Sequence, residues 1–457
     1  MKNSNTAAAF LILATGFAPL GAMDLDFAGS SYKAAPVAVS APAPVKTRSA
    51  APKVKEWTVM VFINGKNNLE MAGLYNVNKM EKVGSDANVN IVVELGRMNG
   101  QAAGDTDLDG NWTGSRRLFI KKDKDEEKIT SPVVHVSSTV DMGDYKRVVN
   151  FVNWAKTSYP AKKYMLVLWD HGSGWMDPRQ QPKTSEKGIS FDDETNNYIR
   201  TKQIGDILKE SGKVDVLAYD ACLMQMGEVA FEVKDNAEVI VGSEETVPGM
   251  GYPYDLFLGA LIKKPAFNAE ELGALTVEAF KMFYDAVKKG AQLSAIRSSK
   301  LNDLGVKTAE FAALAKEVND VEALKIARAG VIRYDMIGEA SDPNMAISFY
   351  GDLHQYAGLL ANALKGTDDK ALALKAKAAE LQEYIDKEVM IDNQASGANR
   401  LGRALSESHG ISVYLPPAEV RIAQEKLENI FEGKYTDFEF DKTAKWHDYV
   451  TFLYGVK

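Results

Sequence analysis

The sequence predicts an α/β protein in which a mostly parallel central sheet is covered by helices on both faces. Two apolar runs, residues 164–171 (YMLVLWDH) and 214–222 (VDVLAYDAC), have the length of strands that are buried on both sides. Apolar residues at helical spacing in residues 201–211 separate these two runs. Because strands and helices alternate in this way, the strands are expected to run parallel through right-handed crossovers.

The other elements before residue 262 follow from the same criteria. Residues 144–159 carry apolar side chains at helical spacing and are followed by Pro160, which cannot continue a helix. Order is expected to begin at Trp57 with the strand WTVMVFIN. The predicted strands are 57–64, 89–95, 116–121, 164–169, 214–222 and 238–243, and the predicted helices are 68–82, 144–159, 201–211 and one that starts at Leu223.

After about residue 262 the pattern becomes mostly helical, with short strand-like interruptions. We therefore divide the ordered chain into a core at residues 57–262 and a region at 263–457 that completes the core or is appended to it. The predicted helices here are 269–288, 303–318, 352–364 and 369–388, and the predicted strands are 293–296, 346–349 and 410–415.

The N-terminus has the layout of a secretory signal peptide at residues 1–22. Lys2 supplies a positive charge, residues 7–20 form a short apolar core, and two small residues follow. A membrane anchor is the alternative, but this stretch is too short to span a bilayer comfortably. Residues 23–56 are rich in Ala, Pro and Ser, which predicts a flexible linker or a removable prosegment.

Charge and cysteine content narrow the classes of function. The formal net charge is −8, so no nucleic-acid partner is expected, because nucleic-acid binders are mostly basic. No other stretch approaches spanning length, so no transmembrane anchor is expected after signal removal. The single cysteine, Cys222, cannot form an internal disulfide. It is a reactive thiol, an intermolecular partner or an inert buried side chain.

The surroundings of Cys222 favour a reactive thiol. His171 and Cys222 end two predicted parallel strands, and ligands of open α/β sheets bind beyond such ends. A cysteine nucleophile needs a base, and an imidazole is the usual partner. Gly172 follows His171 and allows the backbone to approach a ligand closely. The predicted helix at Leu223 would add its N-terminal partial charge, which favours thiolate.

Asp220 lies two positions before Cys222, so a strand places both side chains on one face. A carboxylate beside a thiol opposes thiolate formation, which suggests that Asp220 has another role. It would favour a guanidinium or ammonium group of a substrate. The alternative is that Asp220 caps the helix predicted to start near Leu223.

The order and spacing of the two residues lead to a family resemblance. His171 precedes Cys222 by 51 positions, and caspases also place their histidine about 50 residues upstream of the cysteine. The motifs DHGSGW and DACLM together resemble the clostripain-like cysteine peptidases, which are related in fold to caspases, gingipains, legumain and separase. The matching stretches are WTVMVFINGKNNLE, VDMGDYKRVVNFVNWAKTSYPAKKYMLVLWDHGSGW, GISFDDETNNYIRTKQI, VDVLAYDACLMQMGEVAFEV, VGSEETVPGMGYPYD and GISVYLP.

This resemblance implies a caspase-like α/β/α sandwich, with residues 57–262 as its catalytic core. It implies that His171 is the general base and acid and that Cys222 is the nucleophile. It also implies an oxyanion hole built from the backbone N–H groups of Cys222 and Gly172. An enzyme of this type requires no organic cofactor.

The resemblance further implies cleavage of protein or peptide substrates after Arg or Lys, with Asp220 in the primary specificity pocket. A second acidic contributor is expected among Glu244, Glu245 and Asp255. Several relatives cut themselves between the histidine and cysteine segments. The loop at residues 176–190 offers Arg179, Lys183 and Lys187 as candidate autocleavage sites.

Some relatives depend on calcium and others do not. Residues 192–194 (DDE) and 105–110 (DTDLDG) offer oxygen ligands for a calcium ion, although the twelfth position of the second segment is Arg116 rather than glutamate. A surface turn is the alternative reading of that segment, and no definite metal ligand set is predicted. Relatives commonly carry Asp where this chain has Lys66.

The sequence therefore predicts a secreted, periplasmic or cell-surface cysteine endopeptidase that cleaves after basic residues through an acyl-enzyme at Cys222. One alternative is a peptide ligase that uses the same cysteine and histidine with an amine as acceptor. The other is a non-catalytic surface binding protein that retains the fold.

Overall fold

A nine-stranded sheet forms the centre of the described structure. The computed structural model describes residues 53–100, 104–175, 188–334, 348–416 and 434–456. The strands are β1 Lys55–Gly65, β2 Val89–Arg97, β3 Gly114–Phe119, β4 Val133–Ser137, β5 Ala161–Trp169, β6 Ile189–Asp192, β7 Asn197–Ile199, β8 Val214–Asp220, β9 Ala237–Gly242, β10 Ala291–Arg297, β11 Arg333–Tyr334, β12 Tyr350–Asp352, β13 Met390–Ser396 and β14 Ser412–Tyr414.

The strand order in this sheet is β13-β10-β9-β8-β5-β1-β2-β3-β4. The five strands from β9 to β2 pair in parallel, and the strands at both edges pair antiparallel. β11, β12 and β14 form a three-stranded sheet, and β6 pairs with β7. Because parallel strands are buried on both faces, their sequences are nearly continuous apolar runs.

Helices cover both faces of the central sheet. They are α1 Glu70–Glu81, α2 Tyr145–Ser158, α3 Thr201–Ser211, α4 Gly227–Val233, α5 Tyr254–Lys263, α6 Ala269–Val287, α7 Leu301–Val318, α8 Val321–Gly330, α9 Leu353–Ala363, α10 Asp369–Tyr384, α11 Glu439–Ala444 and α12 Trp446–Gly455. A π-helical turn, Ile385–Val389, follows α10. Among these helices none is long and apolar enough to cross a membrane.

Alternate side chains of the central strands enter two separate hydrophobic cores. In β1, Val59 and Val61 pack with α1, α5 and α6, whereas Met60 and Phe62 pack on the opposite face with α2 and α3. The core that contains Met60 and Phe62 continues into residues of α7 to α12. The region after residue 262 therefore shares a core with the sheet, and the predicted α/β/α sandwich is confirmed.

Several predicted boundaries differ from the structure. β1 begins at Lys55, two residues earlier than expected, and β6 begins inside the loop predicted at residues 176–190. The helix predicted from Leu223 is wrong, because α4 begins only at Gly227. The predicted strand at residues 346–349 lies partly outside the described residues, and β12 begins at Tyr350.

Candidate active site

The cysteine and the histidine follow two neighbouring strands. β5 and β8 pair in parallel, with Trp169 opposite Asp220, so both chains leave the sheet at the same edge. Gly172 then packs directly on the cysteine turn, because a methyl group placed on its Cα would lie 2.3 Å from the carbonyl oxygen of Cys222. The structure therefore brings the loops that carry His171 and Cys222 into contact.

His171 is half-buried and is held by an amide. Its Nε2 lies 2.6 Å from Oδ1 of Asn68, which comes from the loop between β1 and α1. An amide oxygen can only accept, so Nε2 carries the proton and Nδ1 holds the lone pair. Burial lowers the pKa of His171 to about 4, so the imidazole is neutral near pH 7. Asn68 was not singled out from the sequence.

Cys222 is partly buried, and its thiol lies against the segment after β9. Sγ accepts a hydrogen bond from the main-chain N–H of Val247 at 3.3 Å. Leu223 has a φ of +60°, and its N–H donates to the carbonyl oxygen of Glu245 at 3.1 Å. This left-handed residue turns the chain at the cysteine, a strained conformation common at functional sites. Since α4 starts at Gly227, the expected helix terminus does not directly follow Cys222.

Asp220 is a buried carboxylate at the end of β8. Its Oδ2 accepts hydrogen bonds from the N–H of Tyr252 and the hydroxyl of Tyr254, both at 2.9 Å. Burial is the main cause that raises the pKa of Asp220 to about 7, and these two hydrogen bonds oppose it. The helix-cap alternative is wrong, because Met226 occupies the N-cap position of α4.

One segment connects the thiol to the carboxylate. Val247 contacts Cys222, and five residues later Tyr252 contacts Asp220. The hydroxyl of Tyr284 supports this segment by donating to the carbonyl oxygen of Gly251 at 2.9 Å. Both polar groups therefore face the same segment, in agreement with their spacing of two. No local pattern marks the supporting tyrosine, because it comes from α6.

The three candidates for a second acidic residue have different surroundings. Glu244 accepts from the main-chain N–H of Gly410 at 2.7 Å and from the hydroxyl of Ser412 at 2.5 Å. Asp255 pairs with Lys79 at 3.3 Å. Glu245 belongs to the segment whose backbone contacts the cysteine turn, and it is the candidate nearest to that turn along this segment.

The two segments predicted to offer calcium ligands do not fit a calcium ion. Nζ of Lys66 lies 2.9 Å from Oδ2 of Asp192 and 2.5 Å from Oε2 of Glu194. The guanidinium of Arg97 donates to the carbonyl oxygen of Thr106 at 2.7 Å, within the other segment. Each segment therefore already contacts a cationic side chain of the protein, which would repel a second cation.

Among the described residues, Asp352, His354 and His409 place metal-ligating atoms within 4.8 Å of one another. The two imidazole rings stack with 3.8 Å between their centroids. The Asp352 carboxylate accepts the main-chain N–H groups of Gln355 at 2.6 Å and of His409 at 2.5 Å. The protein's own donors thus engage this carboxylate, and no sequence pattern had joined these residues.

Arg179, Lys183 and Lys187 lie outside the described residues. The structure therefore does not test them as autocleavage sites.

The central sheet with helices on both faces defines an α/β/α sandwich protein, and comparison with known proteins gives its family. Residues 61–452 match the sequence profile of the clostripain family. The chain belongs to the clostripain family of cysteine peptidases. Clostripain from Hathewaya histolytica is 28% identical over 228 residues, which cover 46% of this chain and 43% of clostripain. The match thus spans less than half the length of that relative.

Solved structures of cysteine proteases share this fold. A secreted C11 cysteine protease from Bacteroides thetaiotaomicron, in complex with an irreversible peptide inhibitor, matches with a TM-score of 0.60 and 21% identity, covering 86% of this chain and 99% of that chain. An inactive zymogen C11 protease from Parabacteroides distasonis matches with a TM-score of 0.60 and 19% identity over 86% of this chain and 99% of that chain.

The contact between Gly172 and Cys222 leads to a test. In Gly172→Ala the new methyl group must displace the cysteine turn, because it would lie 2.3 Å from a carbonyl oxygen. We expect kcat/KM for peptide cleavage to fall about 100-fold, since misplacement of reacting groups by about 1 Å has effects of that size. Gly259→Ala is the matched control, because its nearest neighbour would be 3.8 Å away. Equal activity of both variants would contradict the close packing.

Proposed function

We propose that this protein is an exported cysteine endopeptidase that cleaves peptide bonds after Arg or Lys. The main support is the direct packing of Gly172 against the Cys222 turn, which brings the histidine and cysteine loops together. Membership of the clostripain family supports the peptidase class. Export is supported by the signal-like residues 1–22 and by the description of a fold relative as secreted.

In the proposed mechanism Nδ1 of His171 accepts the thiol proton of Cys222. The resulting thiolate attacks the scissile carbonyl carbon and forms a tetrahedral intermediate. Backbone N–H groups of Cys222 and Gly172 stabilise its oxyanion. The imidazolium then gives its proton to the leaving amine, which leaves an acyl-enzyme on Sγ. Water deprotonated by His171 attacks that thioester and restores the thiol.

The local polar groups suit these steps. The hydrogen bond from the Val247 N–H to Sγ favours the thiolate over the neutral thiol. Asn68 holds His171 in the tautomer whose Nδ1 accepts a proton. The low pKa of His171 means that the base is unprotonated before substrate binds. When a bound substrate excludes water from the site, the N–H donors stabilise the oxyanion more strongly.

The nucleophile is tested by Cys222→Ala. We expect cleavage of Arg- and Lys-containing peptides to fall to background while thermal unfolding stays close to that of wild type, because only a sulfur atom is lost. The measurements are kcat/KM on fluorogenic peptides and Tm. Activity near the wild-type level would remove Cys222 from the mechanism.

A wild-type chain that cuts itself after Arg179, Lys183 or Lys187 should give fragments on a denaturing gel, and the Cys222→Ala variant should remain intact.

The specificity role of Asp220 is tested by Asp220→Asn. A buried carboxylate that pairs with a substrate cation contributes enough that its loss should lower kcat/KM for an arginine substrate about 100-fold or more. A matched peptide with citrulline, which is neutral and similar in shape, serves as the control substrate. The ratio of kcat/KM for the arginine peptide to kcat/KM for the citrulline peptide should fall towards 1 in the variant. Unchanged selectivity for arginine would show that Asp220 is structural.

The raised pKa of Asp220 predicts that kcat/KM depends on pH. In the substrate-free protein the pKa of Asp220 is raised to about 7, so the carboxylate becomes ionised as pH increases through that value. Binding of an arginine side chain should therefore strengthen, and kcat/KM should rise, across this range in wild type. His171, with a pKa of about 4, stays neutral there and does not account for this step. The inflection should be absent in Asp220→Asn.

A further inference from the structure

Lys66 is a fully buried lysine that is surrounded by oxygen atoms. Its side chain and that of Asp192 are both 0% exposed. Nζ lies 2.9 Å from Oδ2 of Asp192, 2.5 Å from Oε2 of Glu194 and 2.5 Å from the carbonyl oxygen of Val140. An ammonium group has three N–H donors, so these three acceptors use them fully.

The acceptors around Lys66 are of the kind that bind hard cations. Two carboxylates and a main-chain carbonyl group are ligands that Ca²⁺ takes from proteins. They come from two parts of the chain: the loop before α2, and the end of β6 with the turn that follows it. The two carboxylates repel each other unless a positive charge lies between them. In this chain the lysine ammonium is that charge.

The lysine belongs to the loop that holds the histidine. The carbonyl oxygen of Lys66 accepts from the N–H of Asp193 at 2.9 Å. The amide of the next residue, Asn67, donates to Oδ1 of Asp170 at 2.7 Å, and Asn68 contacts His171. A single residue, Asn67, therefore separates the lysine from Asn68, whose amide contacts the imidazole.

We propose that Lys66 is a tethered cation that takes the place of a calcium ion in this oxygen cage, and that it thereby positions Asn68 and His171. The peptidase then needs no calcium to order its histidine loop. Lys66 is a positioning residue, since it touches neither substrate nor reacting atoms. The inference rests on the proposed function for its activity readout only.

The main test converts the cage into a metal site. In Lys66→Asp the ammonium is replaced by a third carboxylate, which together with Asp192, Glu194 and the Val140 carbonyl forms an oxygen set suited to Ca²⁺. We expect kcat/KM to fall about 100-fold in EGTA, as the histidine loop shifts, and to recover on addition of CaCl₂. Tm should rise with CaCl₂, and calorimetry should detect one bound Ca²⁺. Wild type should show the same kcat/KM and Tm in EGTA and in CaCl₂.

Two control variants separate charge from folding. Lys66→Met removes the charge and shortens the side chain by only one heavy atom, so it should lose activity and Tm with no recovery in CaCl₂. Lys162→Asp changes the same charge in an exposed pair with Glu56 and should behave like wild type. A kcat/KM titration against pH should keep its inflections in the rescued Lys66→Asp protein, because the reacting groups are unaltered.

Three outcomes would overturn the proposal: a wild-type protein that loses activity or Tm in EGTA, a Lys66→Met protein that keeps both, and a Lys66→Asp protein that calcium fails to rescue. The Tm and calorimetric measurements do not depend on catalysis and can be made in a Cys222→Ala background. If wild type has no peptidase activity but Lys66→Asp gains calcium-dependent stability, the proposed function fails and the tethered cation stands.

Discussion

The candidate active site depends on the parallel pairing of β5 with β8. Their register sets Trp169 opposite Asp220, so the two chains leave the sheet side by side. Gly172 can then pack on the Cys222 turn. Any residue with a side chain at this position would displace the turn. A slip of one residue would send alternate side chains to the wrong face and separate the thiol from the imidazole. Hydrophobic burial of both strands fixes this register.

Buried carboxylates near the site have two kinds of partner, cationic side chains and neutral hydrogen-bond donors. Lys66 and Arg97 neutralise nearby carboxylates directly, at Asp192 and Glu70 respectively. Asp220 differs, because its described partners are N–H and O–H dipoles rather than cations. Burial makes its ionisation costly in the substrate-free protein and raises its pKa to about 7, and these hydrogen bonds only partly oppose that rise. A basic side chain of a substrate would supply the missing charge, and this gives the proposed specificity a physical basis.

Local patterns predicted the elements that carry the chemistry but missed how the chain turns between them. The helix expected at Leu223 begins four residues later, because the N–H of Leu223 bonds to Glu245 and its φ is +60°. Helix propensity does not include such a tertiary hydrogen bond. Asn68 and Val247 were missed for a similar reason, since each reaches the site from a loop far away in sequence.

The sequence by itself determined the α/β class, the two strand ends that carry His171 and Cys222, and the family, because continuous apolar runs and short motifs are local features. Only the tertiary structure decided which groups surround these residues. The amide on the imidazole, the tyrosines on Asp220 and the cationic side chain inside the acidic segment are contacts between distant parts of the chain. Such contacts arise from packing, and no residue pattern of fixed spacing records them.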